Sequence, residues 1–298
     1  MMKKILFFAG LCLLCAACSN ESINQVLNDQ TMVPVTVHAN AFDVSQGDFS
    51  GTRAAIPVGN STIVKALTLA FYKVSDGTEM YKHTQFRTNT TTWTTFGEFS
   101  CYLPIGSYTM VLLGYGQGNS DQEITLTSPT AATYGEGRMR DTFAATASVE
   151  ITNGSGVNLT ATLNRIVAAL AVQSTDTRPT EVTHMRFTYS KGGKAFDPTS
   201  GLATSNTGFA SVMDYSGNPG VTTNIGSYLF LATDEQTMNV TIETLDADQN
   251  VLVSKTVNNV PLKRNRVTTL TGAIYSASTS VGSIQVNSDW LTGNNIDF

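Results

Sequence analysis

The clearest pattern along this chain is alternation. Val33, Val35, Val37, Ala39 and Ala41 take turns with Pro34, Thr36, His38, Asn40 and Phe42. A period of two held over ten residues predicts a strand with one buried face. In the run from Ile63 to Lys73, Leu67, Leu69 and Phe71 share a face; a helix fits that spacing too, but Ser75-Asp76-Gly77 and the β-rich flanks favour a hairpin. Phe99, Cys101 and Leu103 mark another one-faced strand, Pro104-Ile105-Gly106 turns the chain, and residues 107–115 return. Residues 43–62 read as an exposed loop, and 116–146 as loop-rich. Val149 and Ile151 lead into Asn153-Gly154-Ser155-Gly156, a strong turn signal, after which Val157, Leu159, Ala161 and Leu163 alternate again.

A second set of strands is predicted over 166–172, 182–189, 228–232, 238–245, 251–257 and 267–275. The polar stretch between Tyr189 and Tyr228 is too long for a simple hairpin loop; connections of that length usually carry function or are poorly ordered. No helix is predicted. The halves echo each other faintly: Asp76 and Asp246 both stand at acidic turns after strands, and Leu103-Pro104 and Val260-Pro261 both stand between strands. The expectation is an all-β chain of two similar sandwiches, 33–165 and 166–298.

Composition narrows this. Thr supplies 43 of 298 residues, about one in seven, and favours strands over helices. With 41% apolar and 14% charged residues the chain is neither disordered nor a long coiled coil. A net charge of −5 without a basic tract excludes a nucleic-acid surface.

The N-terminus reads as an address. Met1-Met2-Lys3-Lys4 precedes an apolar run, Ile5 to Ala17, too short to span a membrane but the right size for a secretory signal over residues 1–17. Ala16-Ala17-Cys18 resembles a bacterial lipobox, which makes Cys18 the acylated first residue of the mature protein, with Cys15 where leucine is usual. The Cys12-x-x-Cys15-x-x-Cys18 spacing inside that run is accidental. Residues 18–32 form a polar tether. Losing Lys3 and Lys4 takes the charge to −7. Cys101 is then the one thiol left besides Cys18, so no intrachain disulfide is expected, and its strand position makes it a buried small hydrophobe.

Chemistry is sparse. His38, His83 and His184 stand singly in strands, and no nucleophile elbow, zinc motif, phosphate loop or dinucleotide fingerprint occurs. Asp246-Ala-Asp248-Gln-Asn250 has the opening ligand spacing of a calcium loop, but Val251 and Val257 stand where glycine and the final acid belong; it reads as a hairpin turn. Trp93, Tyr102, Tyr108 and Tyr115 would suit sugar stacking, yet aromatics in strands more often fill cores. Neither a cofactor nor a metal is expected, and nothing argues for an enzyme.

Several segments together resemble the fimbrillin superfamily, the subunits of type V pili in Bacteroidota: the lipobox, Gly51-Thr52-Arg53-Ala54, Leu103-Pro104-Ile105-Gly106-Ser107-Tyr108, Leu163-Asn164-Arg165-Ile166, and Val260 through Gly272 with Arg264-Asn265. The resemblance implies two tandem transthyretin-like antiparallel β-sandwich domains and an outer-membrane lipoprotein precursor that joins a fimbrium at the cell surface. It further implies that a trypsin-like, Arg-specific protease cuts between Arg53 and Ala54, with Arg138 and Arg140 as rival sites, and frees the strand holding Val33, Val35, Val37, Ala39 and Ala41. The tail 281–298 of a neighbouring subunit would then fill the vacated groove. Period two supports the last step, because Ile284, Val286 and Trp290 share one parity. The partners implied are other fimbrial subunits, as stalk or tip. The alternatives are an anchor or accessory subunit, or a surface glycan-binding lipoprotein.

Overall fold

The protein is described by a computed structural model that covers residues 31–43, 56–58, 61, 63–87, 95–116, 124–135, 139–154, 156–215, 218–276 and 285–287. Every regular element among them is a strand. The first half gives β1 (Met32–Asp43), β2 (Ile56–Pro57), β3 (Ala66–Lys73), β4 (Glu79–Phe86), β5 (Glu98–Pro104), β6 (Gly106–Tyr115), β7 (Ile124–Ser128), β8 (Ala131–Tyr134), β9 (Thr142–Ile151) and β10 (Val157–Arg165). The second gives β11 (Ala168–Thr177), β12 (His184–Tyr189), β13 (Ala195–Asp197), β14 (Leu202–Ala203), β15 (Phe209–Asp214), β16 (Thr222–Leu229), β17 (Glu235–Leu245), β18 (Val251–Lys263), β19 (Val267–Gly272) and β20 (Gln285–Asn287).

One sheet runs β2–β1–β10–β9–β6–β3–β4, with β5 also on β1. It curls into a nearly closed barrel. The Gln85 amide on β4 donates to the Glu98 carbonyl at 2.6 Å and accepts from the Gly97 N–H at 2.8 Å, bringing β4 back to β5. β9 and β10 pair only at Ala144/Asn164 and Phe143/Arg165. A wall of β5–β1–β10 thus faces a wall of β9–β6–β3–β4 across a first core that includes Val37, Leu69, Phe71, Phe99, Leu112 and Leu163.

The second half repeats this topology. β11 lies between antiparallel β16 and parallel β19, as β1 lies between antiparallel β5 and parallel β10. The facing wall, β15–β12–β17–β18, matches β4–β3–β6–β9 in strand order. Between them sits another core, around Leu170, Phe187, Val240, Ile242 and Leu270. The halves also share a sheet, β14–β13–β8–β7, in which Ala195 pairs with Thr133 and Phe196 with Ala132. Behind it lies a mixed core where Tyr72, Leu113 and Tyr134 meet Ala169, Phe196 and Phe230.

Four local expectations change. β3 is buried on both faces, Leu67, Leu69 and Phe71 toward the first core and Ala66, Ala70 and Tyr72 toward the mixed one, because the shared sheet covers its back. β5 and β6 are not a hairpin: β5 pairs with β1 and β6 with β3 and β9, so Pro104-Ile105-Gly106 carries the chain from one wall to the other. The Tyr108 hydroxyl pins that crossing by donating to the Pro104 carbonyl at 2.8 Å. Residues 116–146 hold the β7–β8 hairpin, whose alternating Ile124, Leu126, Ala132 and Tyr134 are a strand signal too short to stand out beside the turn residues. Finally, the stretch after Tyr189 contains β13, β14 and β15.

Both acidic turns are built as read. The Asp76 carboxylate accepts the Thr78 N–H at 2.9 Å, which holds its pKa below the ordinary value. Asp246 accepts from the Asn250 side chain at 3.0 Å and from the N–H groups of Asn250 at 2.8 Å and Asp248 at 2.9 Å, again lowering its pKa. Its carboxylate is therefore committed to the turn rather than offered to a cation.

Candidate functional site

The candidate site is the seat of β1. Val35 to Asp43 run parallel to Val157–Asn164 of β10, while Met32 to His38 run antiparallel to Pro104–Glu98 of β5. β1 is therefore the middle strand of its wall, and among the described residues it is the one strand paired with both β5 and β10. Val33, Val35 and Val37 are at most 2% exposed, and Ala39 is buried. The alternation breaks at a bulge between Ala39 and Ala41, which reverses the parity. Phe42, expected on the outward face, instead enters the core opposite Leu163 and packs on Phe143 with ring centroids 5.0 Å apart. Ala41 is buried but lies opposite Thr162, on the other face from the valines. Each of the three valines and Phe42 contributes roughly 1.5–3 kcal/mol by burial. On the outer face His38 Nδ1 meets the Glu98 carboxylate at 2.5 Å.

Cys101 of β5 stands opposite Val35, inside the first core. Burial pushes its thiol up to about 11. At pH 8 it is then protonated and covered, so iodoacetamide labelling of Cys101, mapped by mass spectrometry, is expected to be negligible in the intact chain. Reactivity should rise when β1 is removed or the pH approaches 11. Fast labelling of the intact chain at pH 8 would contradict this seat.

At the far end of β1, Asp43 borders a polar cleft of about 340 Å³, with Thr146, Thr162, Asn164, Ser200 and Arg264 among its lining. Arg165 and Asn265 also line the cleft, and Arg165 belongs to a buried ion pair. Arg165 Nε and Nη2 donate to the two Asp141 oxygens at 2.8 Å each, and Nη1 donates to Asn265 Oδ1 at 3.2 Å. Asn265 adopts a left-handed backbone (φ 57°) and donates its N–H to the Val167 carbonyl at 2.8 Å. Two of the sequence segments that carried the resemblance, around Arg165 and around Asn265, thus meet in one cluster. Sequence reasoning missed Asp141, which lies in a stretch read as loop.

The tail is anchored before it departs. The Asp176 carboxylate accepts the N–H groups of Ile274, Tyr275 and Ser276 at 2.7, 2.9 and 2.9 Å. Beyond it, β20 pairs antiparallel with β19, Val286 opposite Leu270. Of the other sequence candidates, Cys18, Arg53, Ala54, Ile284 and Trp290 lie outside the described residues, as do Trp93, Arg138 and the signal segment. The aromatic quartet is not a platform: Tyr108 is buried in the first core, Tyr115 in the mixed one, and Tyr102 is 66% exposed.

The fold is all-β, with two walls around each of two cores and the first strand central in its wall. The chain belongs to a family of unknown function, DUF6562, whose sequence profile matches residues 45–295. No curated protein matches the sequence. Among solved structures, a candidate adhesin from Bacteroides ovatus aligns with a TM-score of 0.50 at 10% identity, over 89% of this chain and 96% of its own. A candidate polysaccharide-binding protein (DUF1812) from Bacteroides thetaiotaomicron aligns at 0.47 and 11% identity, over 86% and 98%. The fimbrial anchor protein Mfa2 from Porphyromonas gingivalis aligns at 0.46 and 12% identity, over 87% and 98%.

Proposed function

We propose that this protein is a cell-surface adhesive subunit of a fimbria, without catalytic activity, that assembles by exchanging β1 for the C-terminal strand of another subunit. The observation that carries this reading is the position of β1 between β5 and β10, paired with both along its length. Its loss would leave two strands with unpaired backbone edges and an apolar slot lined by Phe99, Cys101 and Leu163, a combination that water penalises and a period-two strand relieves. The likeness in fold to the B. ovatus adhesin supports a surface role. The separate cores of the two halves favour two transthyretin-like sandwiches as their description. In this reading Cys18 carries the lipid that holds the precursor at the outer membrane, an Arg-specific protease cuts between Arg53 and Ala54, and Ile284, Val286 and Trp290 of the tail enter the neighbour. The chain then serves as stalk or tip.

Treatment of the purified precursor with an Arg-specific protease is expected to give a new N-terminus at Ala54 and SDS-resistant ladders on gels. Deleting residues 281–298 should abolish the ladders and leave the strand content, read by circular dichroism, unchanged. A product that stays monomeric after cleavage at Ala54 would sink the exchange.

A further inference from the structure

Among the described residues, one edge of β10 is vacant over Val157–Leu163. The other carries β1. On the vacant side β9 meets β10 only at Asn164 and Arg165, so among the described residues the backbone from Val157 to Leu163 has no strand partner there. Its side chains register the opening: Val157 and Leu159 point toward the first core but are only partly buried against it. The polar cleft, with Ala145 and Thr146 of β9 and Thr162 of β10 in its lining, lies where the two strands part. An unpaired strand edge is a template for another chain, and proteins usually guard such edges with lysine, proline or other charge. The run Val157-Asn158-Leu159-Thr160-Ala161-Thr162-Leu163 carries none of them.

The repeated topology indicates what fits. β19 is the counterpart of β10, since each closes its half and runs parallel to the half's first strand. The matching edge of β19 is covered by β20, antiparallel, with Leu270 opposite Val286 and its neighbours Thr269 and Thr271 opposite Asn287 and Gln285. Leu270 belongs to the core of its half, and Leu159 packs against the core of the other. Their flanks match in kind, Thr269 and Thr271 on β19 against Asn158 and Thr160 on β10. We propose that the vacant edge of β10 accepts the Gln285–Asn287 strand of a second copy of this chain, antiparallel, with Val286 opposite Leu159. Backbone hydrogen bonds supply the affinity and the alternating side chains set the register. β1 stays seated, so this contact does not depend on the exchange proposed above and gives two uncleaved copies a way to associate.

Hydrogen–deuterium exchange of the full-length protein with a synthetic peptide of residues 281–298 tests this. The expected result is about tenfold or greater added protection over 157–163 with protection over 33–43 retained. Leu159→Lys in the protein, and separately Val286→Asp in the peptide, should each weaken binding by about tenfold or more. The peptide variant keeps the test decisive if the protein variant folds poorly. Loss of protection over 33–43 on peptide binding would mean that β1 is displaced, which overturns addition at β10 while favouring strand exchange. Unchanged exchange over 157–163, or equal binding of the Val286→Asp peptide, also overturns it.

Discussion

Asp141→Ala is expected to cost about 3–5 kcal/mol of stability, measured by urea unfolding at neutral pH. Arg165 and Asp141 are 7% and 3% exposed, so losing the carboxylate strips a largely buried guanidinium of its bidentate partner. The Asn265 side-chain oxygen and the Phe143 ring, whose centroid lies 5.0 Å from Cζ, are among its other neighbours. The size of the loss comes from the stranded cation rather than from the worth of the pair, which has a checkable corollary. Replacing both residues by apolar ones of similar size, Asp141→Leu with Arg165→Met, should restore much of the stability that Asp141→Ala removes. A double variant no more stable than the single one would mean that the cluster acts through geometry, for instance by fixing Asn265, rather than through charge.

Phe196→Ala is expected to cost a similar amount, about 3–5 kcal/mol, for a different reason. Phe196 is fully buried, stacks on Phe230 with centroids 4.1 Å apart, and lies on β13, the strand that joins the second half to β8 of the first. Truncating it opens a cavity in the mixed core. Because that core is lined from both halves, the loss should appear at probes in either one: Cys101 labelling during denaturation in the first half and hydrogen exchange over residues 185–189 in the second should shift together. Destabilisation confined to probes beyond residue 166 would mean that the halves unfold independently and that the shared sheet couples them little.

The sequence made the strands legible wherever one face was dry and the other wet. β1, β5, β10 and β12 announce themselves through Val33–Val37, Phe99–Leu103, Ala161–Leu163 and Met185–Tyr189 because burial alternates along them. Legibility fails where a third layer intrudes. β3 and β6 are wet on neither face, so Ala70 and Val111 look like noise in a one-faced pattern when they are the contact with the mixed core. It fails again at the bulge before Ala41, since one inserted residue inverts parity and no side chain marks the insertion. Pairing is harder still: nothing in Leu103-Pro104-Ile105 distinguishes a hairpin from a crossing between walls, which depends on the partners each strand finds elsewhere. In the candidate site the same division holds. β1 is readable from its own residues as far as its bulge, whereas Asp141 acquires meaning only beside Arg165 and Asn265, 24 and 100 residues from Arg165 along the chain.

The parallel pairing of β1 with β10 also sets an order of events in time. Val35 must find Val157, and no earlier segment can stand in for β10 as its parallel neighbour. Contacts so distant in sequence form late, because the intervening loop must close first. β1, the first of the described strands, is therefore among the last to be seated. The wall that β1 completes thus stays unfinished until the chain is available as far as Asn164.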